Sequence, residues 1–455
     1  MAGAVQALHF GAALLPAGWA RDVRVALADG LVASVQAGVA AESGDERHGA
    51  LIPGLPNLHS HAFQRAMAGL AEVRGAGDDS FWTWRELMYR FLDRLTPDDV
   101  GAIAAMAQVE MLESGFTRVG EFHYLHHAAD GRPYRHAAEM AGAILHAAAE
   151  TGIGLTLLPV FYAHSGFGGQ APTAGQRRFL HDLDGFQRLL VRLDELAARL
   201  PDVVVGVAPH SLRAVTPAEL AALESLARGR PIHIHIAEQV KEVEDCLRWS
   251  GRRPVEWLLG ETDVGPSWCL VHATHMTEAE TLALARSGAV AGLCPITEAN
   301  LGDGLFPAEA FLEAGGRFGF GSDSNVRIDM TEELRLLEYG QRLLHRGRNR
   351  LARGAGHSTG ADLFAGALAG GAQALGVAAG LEVGLPFDAV SLNIGHPSLA
   401  ERAPEALLDG LIFAAGRGGI DCVWRRGRKQ VAGGRHVRRD EVVARYRATL
   451  SGLLA

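Results

Sequence analysis

Strand-like and helix-like segments alternate between residues 53 and 325, and this alternation restricts the possible folds. Short runs rich in Val, Ile and Leu alternate with amphipathic segments that begin with helix-capping residues. We count about eight strands, which recur roughly every 20 to 50 residues. This number and rhythm favour an α/β fold with a (β/α)8 TIM-like barrel. An open doubly wound sheet is the alternative, although no Gly-x-Gly-x-x-Gly motif follows the first strand.

The segment from Thr96 to Gly115 illustrates one such unit. Thr96 suits an N-cap and Pro97 suits the first helical position. Asp98 complements the helix dipole, and Gly115 ends the helix before the strand TRVGEFHY. The same reasoning predicts strands at IGLTLLPVFY, RPIHIHIAE, WCLVHATH, AVAGLCP and RFGFGSDS, with helices between them that include one continuous helix over residues 240–259.

Both ends of the chain have the pattern of strands and turns rather than of β/α units. Near the start, VRVALADGLVASVQAG alternates apolar and polar residues around an Asp-Gly turn. Near the end, VGLPFDAVSLNIG and DCVWRRGRKQVAGGRHV are typical of strands joined by Gly-rich turns. We therefore predict a small β-sandwich domain from residues 1–52 and 382–440, a metal-dependent barrel over residues 53–381, and a C-terminal helix over residues 441–455.

Composition excludes several classes of function. The chain has 455 residues, of which 48% are hydrophobic and 21% charged, so it can bury a large core. Its formal charge is −9 and no basic run occurs, which argues against a nucleic-acid partner. The four cysteines lie far apart without a CxxC motif, as expected of a cytoplasmic protein. Pro16 and Gly18 interrupt the first apolar stretch, so we predict neither export nor membrane insertion.

Polar side chains recur where the predicted strands end, which is where a barrel gathers its chemistry. A single histidine at such a position is more often a satisfied core residue than a ligand. Recurrence from strand to strand instead predicts a site. The residues concerned are His59, His61, Glu121, His123, Tyr124, His210, His233, His235, Glu238, His272, His275 and Asp323.

Four of these residues form a candidate metal-binding set. His59 and His61 are two positions apart, so in a strand they present both imidazoles to one side. With His235 and Asp323 they supply three nitrogens and a carboxylate, which leaves one position open for water. His233 shares the strand parity of His235, so parity alone does not choose between them. We prefer His235 because it lies nearer the strand end and so nearer the mouth of the barrel. His233 is expected to lie deeper, either as a packing residue or as a residue that supports a ligand, and its role is left open.

Glu238 is the candidate for proton transfer. It follows His235 by three residues on the opposite parity, so it reaches the same centre only where the strand gives way to its loop. A carboxylate there is placed to move protons. The alternatives are a Glu at an ordinary helix N-terminus for Glu238 and a simple N-cap for Asp323, which lies in the sequence GSDS.

These motifs resemble a known family. HSH, HxHxxE, VHATH and GSDS are similar to the amidohydrolase superfamily, in the aminohydrolase branch that contains cytosine and guanine deaminases. More specifically, PNLHSHAFQRAMAG, SFWTWRELMYR, EFHYLHH, HSLRAVTP, HIHIAEQ, SGRRP and TEANLGDG resemble the formimidoylglutamate deiminases of bacterial histidine degradation. The resemblance extends from about residue 10 to the C-terminal strands.

The resemblance implies one divalent metal per subunit, zinc or iron(II) with zinc favoured, in a homodimer. Binuclear relatives commonly bridge two ions with a carboxylated lysine. Lys241 and Lys429 are the only lysines here, the first on a helix after Glu238 and the second among the C-terminal strands. Neither is placed to bridge two ions. The lysine count leaves a bridging Glu or Cys as an alternative, although no candidate for it stands out beside the HxH motif.

The implied reaction is hydrolysis of a C–N bond in a linear amidine, which converts N-formimino-L-glutamate to N-formyl-L-glutamate and ammonia. By resemblance, Asp323 takes a proton from water, His272 holds the hydroxide, and Glu238 exchanges protons with the substrate nitrogens. A dicarboxylate substrate needs cations, and the family positions for substrate binding match Gln64, Arg85, Tyr124, His210 and Arg213. Phe81, Trp82 and Trp84 are expected to form a lid or to pack. The role of His275 is left open.

Two alternatives remain from the sequence. A deaminase of a purine, a pterin or another small amidine could use the same metal core, but a neutral base does not need two guanidinium groups. An arginine is also commonly a surface ion-pair residue, which is the alternative for Arg85 and Arg213. A non-catalytic metal-binding scaffold would be expected to have lost a ligand or the acid, and none is lost here.

Overall fold

The computed structural model of the protein describes residues 6–74 and 81–455. Within these residues the chain forms two large sheets and a set of helices around one of them. The strands are β1 (Gln6–Leu15), β2 (Gly18–Ala28), β3 (Leu31–Gln36), β4 (Glu46–Pro53), β5 (Leu55–Ser60), β6 (Phe116–His123), β7 (Gly154–Phe161), β8 (Val203–Val205), β9 (Ala208–Pro209), β10 (Ile232–Ile236), β11 (Trp268–His272), β12 (Val290–Leu293), β13 (Arg317–Phe320), β14 (Ala389–Leu392), β15 (Ile420–Arg425), β16 (Arg428–Ala432) and β17 (Arg435–His436).

The helices lie mostly between the strands of the second sheet. They are α1 (Phe81–Leu92), α2 (Pro97–Glu113), α3 (Glu139–Thr151), α4 (Leu183–Ala197), α5 (Pro217–Ala227), α6 (Val240–Ser250), α7 (Pro254–Glu261), α8 (Glu278–Ser287), α9 (Pro295–Leu301), α10 (Ala308–Glu313), α11 (Met330–His345), α12 (Thr359–Ala374), α13 (Leu407–Gly410) and α14 (Arg439–Leu454). Short 3-10 helices occur at Ala62–Met67, Ala174–Gln176, Pro404–Ala406 and Gly416–Gly419, and a short π-helical segment spans Leu411–Ala415.

The first sheet is built from both ends of the chain, as the sequence predicted. Its strand order is β17-β16-β15-β14-β4-β1-β2-β3. Phe10 on β1 and Trp424 on β15 are three strands apart in this order, which corresponds to about 14 Å across a flat sheet. Their rings nevertheless lie 6.2 Å apart. The sheet therefore curls around a small core of its own.

The second sheet is parallel and forms a TIM-like barrel. Its order is β10-β11-β12-β13-β5-β6-β7-β8, and β9 pairs with β7. The short segment after β8 is hydrogen bonded on both sides. Gly206 N donates to Leu157 O of β7 at 2.9 Å, and His233 N of β10 donates to Val207 O at 3.1 Å. The carboxyl ends of these strands face one end of the barrel, where the site lies.

Local sequence signals explain where several helices begin and end. α2 begins as predicted, because Asp99 N donates to Thr96 Oγ1 at 3.3 Å and Thr96 N donates to Asp99 Oδ2 at 3.0 Å. The continuous helix predicted over residues 240–259 is wrong. Gly251 adopts a left-handed conformation, with φ 74°, and caps α6, and Pro254 starts α7. A proline has no backbone N–H to continue the first helix.

The structure bears on two expectations from the sequence, which concern membrane insertion and disulfide bonds. Within residues 6–74 and 81–455, no helix combines the length and the apolar character needed to cross a membrane. The four cysteines are unpaired and buried.

Candidate active site

The four predicted metal ligands meet at the carboxyl end of the barrel. His59 lies on β5 and His61 directly after it, His235 lies on β10, and Asp323 follows β13. The Nε2 atom of His59 lies 3.2 Å from that of His61 and 3.0 Å from that of His235. Asp323 Oδ1 lies 3.2 Å from His61 Nε2 and 3.5 Å from His59 Nε2. All four side chains are buried, and they form a group that can hold one metal ion.

The protonation of two imidazoles fits a bound cation. His61 Nδ1 lies 2.9 Å from Phe122 O, and His235 Nδ1 lies 3.1 Å from His210 O. A carbonyl oxygen only accepts, so both Nδ1 atoms carry the proton and both Nε2 atoms turn bare lone pairs towards the same point. Converging lone pairs repel one another unless a cation lies between them. Burial also lowers the pKa of His59 to about 3 and that of His235 well below its usual value, which keeps both rings neutral.

Backbone geometry brings Asp323 to the histidines. Asp323 N donates to His59 O at 3.0 Å, and His61 N donates to Asp323 O at 2.9 Å. Asp323 has a left-handed φ of 44°, a conformation that Asp and Asn adopt more readily than most residues other than glycine. Burial tends to raise the pKa of Asp323, but its contacts with His59 and His61 hold that pKa well below the usual value. The carboxylate is therefore ionised and available as a ligand.

Glu238 and His272 lie beside this group. His272 Nε2 is 4.0 Å from Glu238 Oε1 and 3.8 Å from Asp323 Oδ2, and all three side chains are buried. Burial raises the pKa of Glu238, although the positive charges of His272 and Arg213 oppose this. Burial also disfavours charge on His272, but Glu238 and other carboxylates raise its pKa to about 10. A carboxyl group and an imidazole, both with shifted pKa values, thus lie beside the metal-binding group.

Glu298 orients His272, and the sequence reasoning did not assign it this role. Glu298 Oε1 lies 3.2 Å from His272 Nδ1 and accepts a hydrogen bond from Cys294 N at 2.9 Å. Glu298 lies on α9 within the motif TEANLGDG, which contributed to the family resemblance. This motif was the available sequence signal for Glu298, but the number of residues between Glu298 and His272 does not show that their side chains meet.

The cavity extends from the metal-binding group to two arginines. It is lined by His61, Gln64, Phe81, Trp84, Arg85, Met88, Tyr89, Tyr124, Tyr162, Ser165, Phe179, His210, Arg213, His235, Glu238, His272, Thr297, Leu301, Asp323 and Ser324. Arg85 lies on α1, with its guanidinium carbon 4.5 Å from the centre of the Trp82 ring. Arg213 lies after β9, and its Nη2 atom lies 3.8 Å from Glu242 Oε2. The Nε atoms of both arginines are buried and have no hydrogen-bond partner among the described residues.

The remaining predicted substrate-binding residues also line this cavity. Gln64 Nε2 donates to the Tyr124 hydroxyl at 2.8 Å, while Gln64 Oε1 is buried and lacks a partner within the part of the chain that the structure describes. The His210 ring lies 5.0 Å from the His235 ring. Burial and the charge of Arg213 lower the pKa of His210 well below its usual value, so this imidazole is neutral.

Other polar residues at the strand ends contact backbone atoms or lie outside the cavity lining. His233 Nε2 lies 2.8 Å from Ala374 O, and His233 is not part of the metal-binding group. Glu121 Oε1 accepts a hydrogen bond from Ala62 N at 2.7 Å. His123 and His275 do not line the cavity as the structure describes it. Of the two lysines, Lys241 pairs with Asp245 at 2.8 Å and Lys429 pairs with Glu46, both away from the metal-binding group.

The fold and the site together define a class of protein. A TIM-like barrel that holds three imidazoles and one carboxylate around a single point, with an acid and a base beside it, is typical of metal-dependent hydrolases. The comparisons with known proteins agree with this class and narrow it.

Two family models match the chain. The amidohydrolase family model matches residues 50–429, and the model "Formimidoylglutamate deiminase HutF, N-terminal domain" matches residues 5–49. A formimidoylglutamate deiminase from Pseudomonas aeruginosa is 52% identical over 97% of this chain and 98% of its own length. The chain therefore belongs to the amidohydrolase family and, within it, to the formimidoylglutamate deiminases.

The chain is also similar to proteins with other names and to solved structures. A 5-methylthioadenosine/S-adenosylhomocysteine deaminase from Natronomonas pharaonis is 29% identical over 77% of this chain and 74% of its own length. Among solved structures, an amidohydrolase from Brucella melitensis superposes with a TM-score of 0.96 at 54% identity, over 99% of this chain and all of that one. A zinc-bound adenosine deaminase from Xanthomonas campestris superposes with a TM-score of 0.81 at 24% identity over 98% of each chain, which shows a common fold.

Proposed function

We propose that the protein hydrolyses N-formimino-L-glutamate to N-formyl-L-glutamate and ammonia, as a deiminase of L-histidine degradation. One observation carries the choice of substrate. The cavity that begins at the metal-binding group continues to Arg85 and Arg213, whose buried Nε atoms have no partner among the described residues. Guanidinium groups bind carboxylates in bidentate fashion, so a substrate with two carboxylates suits this cavity. The relative from Pseudomonas aeruginosa carries the name of this activity.

His59, His61, His235 and Asp323 would hold one divalent ion, which we propose to be zinc, with iron(II) as the alternative because this donor set accommodates both. When bound, such an ion lowers the pKa of water and supplies a nucleophile at neutral pH. The structure of the distant adenosine deaminase contains zinc, which supports this choice.

The chain's own residues manage the protons. Asp323 Oδ2 accepts the first proton of the attacking water, and His272, 3.8 Å away, orients the water towards the amidine carbon. Glu238 delivers protons to the departing nitrogen. Both protons of the water end on that nitrogen, which leaves as ammonia, and the carbon keeps the oxygen as a formamide. Gln64, Tyr124 and His210 hold the amidine and the nearer carboxylate, while Arg85 and Arg213 neutralise the two carboxylates.

We also propose a domain organisation for the chain. It consists of a closed (β/α)8 barrel over residues 53–381, a β-sandwich formed by residues 1–52 and 382–440, and a C-terminal helix over residues 441–455. We propose further that the protein is a cytoplasmic homodimer whose partner is a small dicarboxylate, without nucleic-acid or membrane partners. The four unpaired cysteines and the charge of −9 support the location and the lack of a nucleic-acid partner.

An ammonia-release assay on the zinc-loaded protein tests the function. N-formimino-L-glutamate is compared with adenosine, guanine and cytosine at equal concentrations. We expect turnover of the first compound and none of adenosine, guanine or cytosine. Turnover of any of these three without turnover of N-formimino-L-glutamate would replace this proposal with the alternative of a deaminase that acts on a purine, a pterin or another small amidine.

A further inference from the structure

Tyr162 is a cavity residue to which neither the sequence motifs nor the proposed reaction assigns a role. It follows β7 directly, is 7% exposed, and lines the cavity together with Arg85 and Arg213. Its ring lies 4.6 Å from the His210 ring, which in turn lies 5.0 Å from the ring of the metal ligand His235. Tyr162 is thus one ring further from the metal-binding group than His210.

The hydrogen bond between Tyr162 and Gln176 has a defined direction. Gln176 is 2% exposed and its Oε1 accepts a hydrogen bond from Thr173 N at 2.8 Å. A backbone N–H can only donate, so the amide oxygen must face Thr173 and the amide nitrogen must face Tyr162. Gln176 Nε2 lies 2.8 Å from the Tyr162 hydroxyl oxygen and donates to it. The Tyr162 hydroxyl is therefore the acceptor of this bond, and its own proton must point elsewhere.

Tyr124, in the same cavity, shows the contrast. Its hydroxyl oxygen accepts from Gln64 Nε2 at 2.8 Å, and its proton faces Met88 Sδ at 3.2 Å. For Tyr162 the described residues provide the donor but no acceptor for the hydroxyl proton. The neighbours of Tyr162 in the cavity include two guanidinium groups with unpartnered Nε atoms. A donor in such surroundings suits an anionic acceptor that a ligand brings.

We propose that the Tyr162 hydroxyl donates a hydrogen bond to the side-chain carboxylate of the substrate, and that Gln176 fixes the direction of this bond. The inference rests on the proposed function. The side-chain carboxylate is chosen over the α-carboxylate because it lies further from the amidine carbon, as Tyr162 lies further from the metal-binding group. Tyr162 thereby selects for a dicarboxylate, and Gln176 acts as a positioning residue.

The first experiment removes the hydroxyl. A Tyr162→Phe variant is assayed on N-formimino-L-glutamate and on N-formimino-L-norvaline, which lacks the side-chain carboxylate. Loss of a hydrogen bond to a charged group predicts a KM for the dicarboxylate about 10- to 100-fold higher, with kcat little changed. We expect no such effect on the norvaline compound. Equal losses on both substrates, or no loss on either, would overturn the inference.

The second experiment changes the direction of the bond. In a Gln176→Glu variant the carboxylate still accepts from Thr173 N, but it also accepts the Tyr162 proton and turns it away from the cavity. KM should rise as much as in Tyr162→Phe. A Gln176→Met variant loses both hydrogen bonds and no longer directs the Tyr162 proton, but leaves that proton free to turn towards the substrate, so its thermal stability should fall and its KM should rise by only about threefold, well below the rise in Gln176→Glu. If Gln176 only stabilised the fold, Gln176→Met, which loses both hydrogen bonds, would raise KM more than Gln176→Glu, which keeps the bond from Thr173 N.

A double variant separates direction from charge. If Gln176 acts through the Tyr162 proton, Tyr162→Phe combined with Gln176→Glu should have the same KM as Tyr162→Phe alone. A higher KM in the double variant would mean that the new charge repels the substrate directly, which would overturn the role of Gln176. Wild-type protein that releases no ammonia from N-formimino-L-glutamate would refute the proposed function itself, whereas active wild type with an unaffected Tyr162→Phe variant would refute only this inference.

Discussion

The two ends of the cavity are built in different ways. At the metal-binding end, the three histidines and Asp323 lie on barrel strands or within three residues of them, and backbone hydrogen bonds tie these strands to their neighbours. At the other end, Arg85 lies on helix α1 and Arg213 lies in the turn after β9. At the metal-binding end, the strands hold the metal-binding atoms in position before an ion or a substrate binds. At the other end, the charged groups lie on segments outside the strands.

This difference separates the reaction from the choice of substrate. Residues held by a rigid sheet keep the precise geometry that a metal and a proton transfer require. Residues on loops and added helices can differ between relatives without disturbing that geometry. The relatives named for 5-methylthioadenosine/S-adenosylhomocysteine deamination, at 29% identity, are consistent with one scaffold that accepts several substrates. If the two ends are separable in this way, a substitution at one end should leave the function of the other end intact.

The largest effect is expected at the metal-binding end. In a His61→Gln variant, bound metal should fall well below one ion per chain and ammonia release should be lost, because one of four ligands is removed. Metal content is measured by elemental analysis of the purified protein. His233→Gln is the matched control, since glutamine can replace the bond from His233 to Ala374 O, and it should retain the ion. Equal metal loss in both variants would contradict the assignment of the ligands.

The next largest effect is expected at Glu238. Glu238→Gln removes the proton carrier without touching a ligand, so kcat should fall by about 10²- to 10⁴-fold. Metal content should stay at the wild-type value. Steady-state kinetics and elemental analysis on the same preparation measure both. Loss of the ion together with activity would place Glu238 among the ligands instead.

An intermediate effect is expected at the cationic end. Arg213→Lys and Arg85→Lys keep the charge but lose the bidentate geometry, so KM for the dicarboxylate should rise about 10-fold or more in each. Turnover of formamidine, which has no carboxylate, should change little. A similar loss on formamidine would show that the two ends of the cavity are not separable.

A smaller effect is expected at Glu298, which connects the metal-binding end to helix α9. Glu298→Gln keeps a hydrogen-bonding group near His272 but removes the charge, so kcat should fall about 10-fold while KM for N-formimino-L-glutamate stays constant. A change in KM alone would contradict the positioning of His272 by Glu298.

The smallest effect on activity is expected far from the cavity. Thr96→Ala removes the N-cap of α2 and should lower the free energy of unfolding by about 0.5–2 kcal/mol. Kinetic constants at 25 °C should stay at their wild-type values. Chemical denaturation measures the first effect and the ammonia assay measures the second. A loss of activity in the folded variant would show that α2 influences the site.

The sequence predicted the strand-borne half of the site better than the other half. A two-residue spacing on a strand determines which side a side chain faces, so His59 and His61 could be paired from the sequence alone. The choice of His235 over His233 followed from its distance to the strand end. In the structure His235 belongs to the metal-binding group, whereas the His233 ring is hydrogen bonded to Ala374 O.

The other contacts depend on distances that sequence spacing does not encode. Glu298 reaches His272 from a helix 26 residues further along the chain, and Gln176 reaches Tyr162 from a short 3-10 helix. The prediction of one helix over residues 240–259 overlooked the break between α6 and α7, where the sequence SGRRP interrupts the apolar pattern. Gly251 and Pro254 are the local signals for this break.

Element-specific anomalous diffraction from crystals of the metal-loaded protein tests the metal-binding group directly. We expect one ion per chain, within about 2.0–2.2 Å of the Nε2 atoms of His59, His61 and His235 and of a carboxylate oxygen of Asp323. A second ion beside the first, no ion at this point, or an ion that Asp323 does not reach would contradict this expectation.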